Sequence, residues 1–175
     1  MSETQVKGLA ELQKALDELP EKIAANVMRG AMRAGAKVLA DEARLQAPVL
    51  SGELRDTIRH AAKIENGVAI GYVRAGPRGG KNLSKADAKK GWYVRFVEFG
   101  TAAHIIKARK GKTLFLGVSK VNHPGATKKP FMRSALDQGA GRALAAVAGY
   151  IRKRLAAKHG INVPDPEDAA EGGDK

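Results

Sequence analysis

Pro20 and Pro48 bracket a stretch that reads as one long helix, and a helix of that length constrains everything packed around it. Proline is tolerated in a first helical turn, and Glu21 suits the positive end of the helix dipole. The helix is therefore expected to start at Pro20 or Glu21 and run to about Gln46, where Ala47 and Pro48 end it. Roughly 26 residues at about 1.5 Å each make a rod of about 39 Å, long enough to span a domain. Its apolar positions, Ile23, Val27, Ala31, Ala34, Val38 and Leu45, recur at helical spacing as a narrow, alanine-rich stripe. Arg29, Arg33, Lys37 and Arg44 fall mostly off that stripe. Side chains this small let a helix pack closely on a sheet.

Two further helices flank this one in sequence. Leu9, Leu12, Leu16 and Leu19 share a face between Gly8 and Leu19, and Pro20 breaks the run. A last helix is expected from Pro130 to about Gly160 on the face Phe131, Leu136, Leu144, Val147, Ile151 and Leu155. Between the helices lies a strand signal. Thr57–Ile64 and Val68–Ala75 flank Glu65-Asn66-Gly67, and Asn-Gly favours a tight hairpin because both residues accept positive φ. Ser51 is expected to cap a short helical turn just before the hairpin. Trp92, Tyr93, Phe96, Val97 and Phe99 suggest a short helix ended by Gly100, with a strand as the alternative. Ile105–Ala108 and Thr113–Leu116 are expected to pair as strands across Arg109-Lys110-Gly111-Lys112. The expected fold is α+β: long N-terminal and C-terminal helices on a small antiparallel sheet. It forms one domain over residues 1–160, followed by an acidic, disordered tail over 161–175.

Charge is distributed unevenly. The chain has 31 Lys and Arg against 18 Asp and Glu, a net +13. Residues 161–175 hold five acids (Asp165, Glu167, Asp168, Glu171, Asp174) and one base, Lys175, leaving residues 1–160 with 30 bases and 13 acids. A field of that sign attracts polyanions, whether nucleic acid or an acidic protein face. Arg78, Lys81, Lys85, Lys89 and Lys90 crowd a long Gly-rich loop from Gly76 to Gly91, and Lys107, Arg109, Lys110 and Lys112 form a second basic group. These nine residues are the candidate interaction sites. No aromatic is interleaved with the lysines, which argues against base stacking on a single strand but leaves uniform phosphate contact open.

Other chemistry finds little support in the residues. With no cysteine there is no disulfide, thiolate nucleophile or thiolate zinc site, and the chain suits a reducing cytosol. No run approaches the ~18 apolar residues of a membrane span, and Met1 to Lys7 lacks the basic stretch followed by a hydrophobic one that a secretory leader is expected to show. Gly76-Pro77-Arg78-Gly79-Gly80-Lys81-Asn82 imitates a phosphate loop, but the glycine spacing is one residue short and Asn82 replaces the magnesium-binding hydroxyl. His60, His104, His123 and His159 show no metal-ligand spacing. Asp56 and Glu98 are the acids beside apolar clusters, and neither has a nearby Ser or His to complete a catalytic arrangement. No catalytic residue, metal or cofactor is expected, and a nuclease would need clustered acids that do not assemble.

Four blocks in order carry a resemblance. They are Gly8-Leu9-Ala10-Glu11-Leu12; Ala47 to Arg55, with Ser51, Gly52, Leu54 and Arg55; Tyr93 to Thr101, with Glu98, Phe99, Gly100 and Thr101; and His123-Pro124-Gly125 followed by Lys129 to Leu136, with Pro130 and Phe131. Together they resemble the tail-component, or tail-completion (head-tail joining), family of long-tailed bacteriophages and prophages. The resemblance implies a non-enzymatic structural virion protein, made in the host cytoplasm, that forms a homo-oligomeric ring at the neck or tail, six-fold by family analogy. Its partners would be adjacent neck and tail-tube proteins, with non-specific contact to DNA in the channel and none to membrane. The alternative from charge alone is a DNA-binding accessory protein. The Gly76–Gly91 loop and the acidic tail depart from the family pattern.

Overall fold

The computed structural model describes residues 9–17, 19–49, 52–78, 84, 89–109, 112–114 and 117–163. The protein is α+β. In chain order its elements are α1 (Leu9–Asp17), α2 (Glu21–Gln46), α3 (Glu53–Asp56), β1 (Arg59–Glu65), β2 (Val68–Arg74), α4 (Val94–Phe99), β3 (His104–Lys107), β4 (Lys120–His123) and α5 (Phe131–His159). They divide between two compact units: Met1–Gln46 with Ile58–Arg74 and Ser134–Lys175, and Ala47–Thr57 with Ala75–Arg133.

In the first unit, α2 carries both the helical core and the hairpin. Leu12 and Ala15 of α1, Val27 and Ala31 of α2, and Ala148, Ile151 and Leu155 of α5 form one buried cluster. Leu12 and Leu155 are completely enclosed. Alanine dominates because the helices approach closely, leaving a few leucines and isoleucines to supply most of the buried area. At the end of α5, the Ile161 amide donates to the Leu155 carbonyl, and Ile161 and Val163 fold back against this cluster.

β1 and β2 pair antiparallel from Arg59↔Arg74 to Glu65↔Val68, and Asn66 and Gly67 take φ of 51° and 79° at the turn. The hairpin lies on α2. A Cβ at Gly71 would sit 2.6 Å from the Met32 carbonyl oxygen, so only glycine lets β2 approach the helix backbone this closely.

Several sequence expectations are corrected here. Leu45, placed on the buried stripe of α2, is 74% exposed, and its burial falls instead to Gly35, Ala36, Ala40, Glu42 and Ala43. Leu136 and Leu144 of α5 are also exposed, while Ala135 and Ala143 are buried. Ala135 and Ala143, one position away from Leu136 and Leu144, and Ala43, two positions from Leu45, face the core instead, because close helix approach selects small side chains over large ones.

In the second unit, α4 forms as a helix and Gly100 ends it. The expected partner of β3 is wrong. β3 pairs with β4, from His104↔His123 to Lys107↔Lys120, and not with Thr113 and Leu114; Phe115 and Leu116 of the expected strand lie outside the described residues. The Ala108 amide extends this ladder to the Ser119 carbonyl, and Leu114 instead enters a turn in which its amide donates to Val118 and Gly117 donates back to it. Ladder and turn together make a longer connection than the Arg109–Lys112 turn expected from the sequence. α3 begins at Gly52 with no side-chain cap, and Ser51, expected in that role, lies outside the described residues.

Candidate functional site

Three of the four blocks quoted above for the resemblance fall wholly or largely in the second unit, and the first, Gly8 to Leu12, belongs to the first unit. Thr101 and Ala126 form a two-way backbone bridge, with N–H···O distances of 3.0 and 3.1 Å, and the Lys129 amide donates to the Val97 carbonyl at 2.7 Å. Gly125 lies where a Cβ would run into the Thr101 carbonyl oxygen, at φ 91°, so the crossing requires glycine. Its amide donates to Nδ1 of His123, immediately before Pro124.

Glu98 then completes the start of α5. Its two carboxylate oxygens accept from the Met132 and Arg133 amides at 3.0 and 3.2 Å. These are first-turn donors with no partner inside the helix, and a carboxylate there also faces the positive end of the dipole. Pro130 precedes the helix, and Phe131 is buried at its first position. Leu54 is buried in α3, and Arg55 is half-buried with an Nε that meets no acceptor among the described residues.

A second cluster closes the base of the Gly76–Gly91 loop. The Thr57 hydroxyl donates to Leu54 O at 2.6 Å and accepts from the Gly76 amide at 3.1 Å, and the Gly91 amide donates to Glu53. Gly76 and Gly91 are thereby held against one another.

Beside these joints lies an exposed apolar surface. Trp92, in the turn before α4, and Phe96 and Phe99 on it recur at helical spacing and are 64, 47 and 67% exposed. Trp92 packs edge-on to Phe96 with ring centroids 5.8 Å apart. Phe99 and Phe96, with Arg95 and His104, line a depression of about 580 Å³. Phe96 also borders a second, more apolar cleft of about 450 Å³ with Val49, Leu54, Tyr93 and Val97. Ile105 and Ile106 of β3 are exposed as well.

Of the nine basic candidates, Arg78, Lys89, Lys90, Lys107, Arg109 and Lys112 are exposed, and Lys81, Lys85 and Lys110 lie outside the described residues. Lys107 stands on β3, and Arg109 and Lys112 share a turn. His104 and His123 face each other across β3 and β4 with centroids 4.9 Å apart. Among the described residues no group of three His, Asp or Glu side chains is placed to hold a metal ion.

The first unit has a groove that sequence reading missed. Arg29, Arg33 and Lys37 of α2 form one wall and Arg154 of α5 stands with them, around an open volume of about 920 Å³. Gly30, Ala34, Ala61 and Ala62 line it with small groups, and Asn26, His60 and Tyr150 add polar ones. The signal was the spacing of Arg29, Arg33 and Lys37, four residues apart on one helical face. Burial lowers the His60 pKa below its ordinary 6.5; Arg33, Arg44 and Lys37 lower it further, and Asp41 opposes them. Away from the groove, Arg142 of α5 pairs with Glu42 of α2, and Gln46 donates to the same carboxylate at 2.8 Å. Those bonds, Gln46's first, hold the Glu42 carboxyl below its ordinary value.

By class this is an α+β protein of long helices and two short antiparallel hairpins, with aromatic and cationic surfaces exposed. Residues 10–100, just over half of the chain, match the family described as "Bacteriophage HK97-gp10, putative tail-component", and the chain belongs to that family. It is a phage tail component, a structural protein of the virion. Neither the curated proteins nor the solved structures gave a match. Among the described residues no helix is long and apolar enough to cross a membrane.

Proposed function

We propose that this protein is a ring-forming tail-completion subunit that joins head and tail at the neck, and that it works through its surfaces. The observation that carries this reading is the exposed face of Trp92, Phe96 and Phe99. Large aromatics left in water at helical spacing are what a subunit keeps for a neighbour, since such anchors dominate the energy of protein interfaces. Rings close by head-to-tail contacts between two different faces of each subunit. The aromatic face supplies one of them, and the basic residues Lys107, Arg109, Lys110 and Lys112, with those of the Gly76–Gly91 loop, supply charge that sets register against an acidic neighbour.

Complementation of a phage lacking this protein tests the reading. The double variant Trp92→Ser/Phe99→Ser is expected to fold, since both side chains are exposed, and to yield heads and tails that do not join. Lys107, Arg109, Lys110 and Lys112 changed together to Ser should weaken the same step. Normal yields of joined particles from the aromatic variant would overturn the proposal.

A further inference from the structure

We propose that the groove between α2, β1 and α5 is a binding site for the phosphodiester backbone of double-stranded DNA, read without regard to sequence. The inference deepens the tail-subunit reading by naming a partner for a surface that reading does not use.

The cations come first. Arg29, Arg33 and Lys37 stand on successive turns of one helical face, so their backbone positions span about 12 Å. Phosphates along one strand of a duplex advance about 3.4 Å each along the axis while turning around it, so a straight stripe of that length can follow a short run of consecutive phosphates. Arg154 adds a cation from a second helix. Among the described residues no carboxylate lines the groove, and none of the four cations lies within salt-bridge distance of one. Asp41, the nearby acid, is occupied by Arg44 at 2.5 Å.

The remaining lining suits phosphate better than an acidic peptide. Guanidinium groups match phosphate oxygens in pairs, and the Tyr150 hydroxyl and Asn26 amide are the neutral donors that accompany them in backbone recognition. Asn26 also accepts from Arg29 at 2.9 Å and so steadies that side chain. A peptide would need pockets for its side chains, whereas the groove offers Gly30, Ala34, Ala61 and Ala62. Among the described lining residues Tyr150 and the His60 imidazole are the aromatic rings, too few to stack a run of unpaired bases.

The test is a salt titration of the full chain with a fluorescent 20-bp duplex of arbitrary sequence. Arg33→Glu/Arg154→Glu is compared with Lys120→Glu/Lys128→Glu, exposed lysines of the second unit, which changes net charge equally elsewhere. The groove variant should lose at least about tenfold in affinity and flatten the slope of log K against log salt by about 2, while the control loses much less. Arg33→Lys/Arg154→Lys should keep the slope, and unchanged circular dichroism shows that the variants are folded. Equal losses in groove variant and control would overturn the site in favour of general charge. So would displacement of the duplex by a synthetic peptide of residues 163–175 at matched charge concentration, which would assign the groove to an acidic segment. Because the isolated chain is used, the result does not depend on particle joining: failure here leaves the aromatic-face proposal standing, and failure there leaves this one.

Discussion

The carboxylate of Glu98, in the last turn of α4, accepts the amides of Met132 and Arg133 and so completes the start of a helix 34 residues further along the chain. A side chain that caps from such a distance fixes tertiary structure as well as the helix end. Glu98→Ala should lower stability by about 1–2 kcal/mol, the range for a lost helix cap. Glu98→Gln keeps an acceptor and should cost less. Urea midpoints of the two variants check both the size and the order.

The Glu42 pair makes stability depend on acid. Its carboxyl is held below the ordinary 4.5 by Gln46 first and Arg142 second, so the folded state holds its proton less tightly than the unfolded chain does. The contribution is therefore present above the unfolded value and fades as pH falls through the lower folded value. Wild type should exceed Glu42→Gln in urea midpoint at pH 7, and the gap should close as pH is lowered from about 5 to 3. A gap that stayed constant would show that the pair does not act through ionisation.

Two glycines should respond to alanine in opposite directions. A Cβ at Gly71 meets the Met32 carbonyl oxygen at 2.6 Å, and Gly71→Ala should cost about 1–3 kcal/mol through forced separation of β2 and α2. Gly149, within α5, is exposed and has open space around it. There alanine should add about 0.5–1 kcal/mol by restricting the unfolded chain and favouring helix. Thermal melts of the two variants should bracket wild type.

Leucines of α5 separate burial from periodicity. Leu155 is fully enclosed, and Leu155→Ala should cost about 2–5 kcal/mol. Leu136 is 53% exposed, and Leu136→Ala should stay within about 0.5 kcal/mol of wild type. Guanidinium unfolding of both measures the contrast.

Titration of His60 reports on the basic groove. Its pKa is lowered by burial and by Arg33, Arg44 and Lys37, against Asp41, so its NMR midpoint should fall below 6.5. Arg33→Glu replaces a repelling cation with an anion and should move that midpoint upward.

The long helices were legible because their boundaries rest on local chemistry: Pro20, Pro48 and Pro130 act within one turn of where they stand. The hairpin at Asn66-Gly67 was legible for the same reason. Which side chains face the core was less so. Leu45, Leu136 and Leu144 fit helical periodicity, yet alanine and glycine won those faces because the distance between helices is a property of the pair and not of either sequence. The partner of β3 failed similarly, since strand choice depends on where the chain returns after Gly117. Glu98 stood out as an acid among aromatics, but its role needed the start of α5 beside it. The groove combines residues 29 to 37, 60 to 62 and 154, and only folding brings those together.

Gly76 and Gly91 meet at a knot of contacts through Thr57 and Glu53, so the chain leaves and returns at one fixed doorway. With the two ends fixed there, doubling the length of the excursion between them costs only about 0.6 kcal/mol in closure entropy. An insertion between the two glycines would therefore leave the bonds from Thr57 and Glu53 in place at little entropic cost.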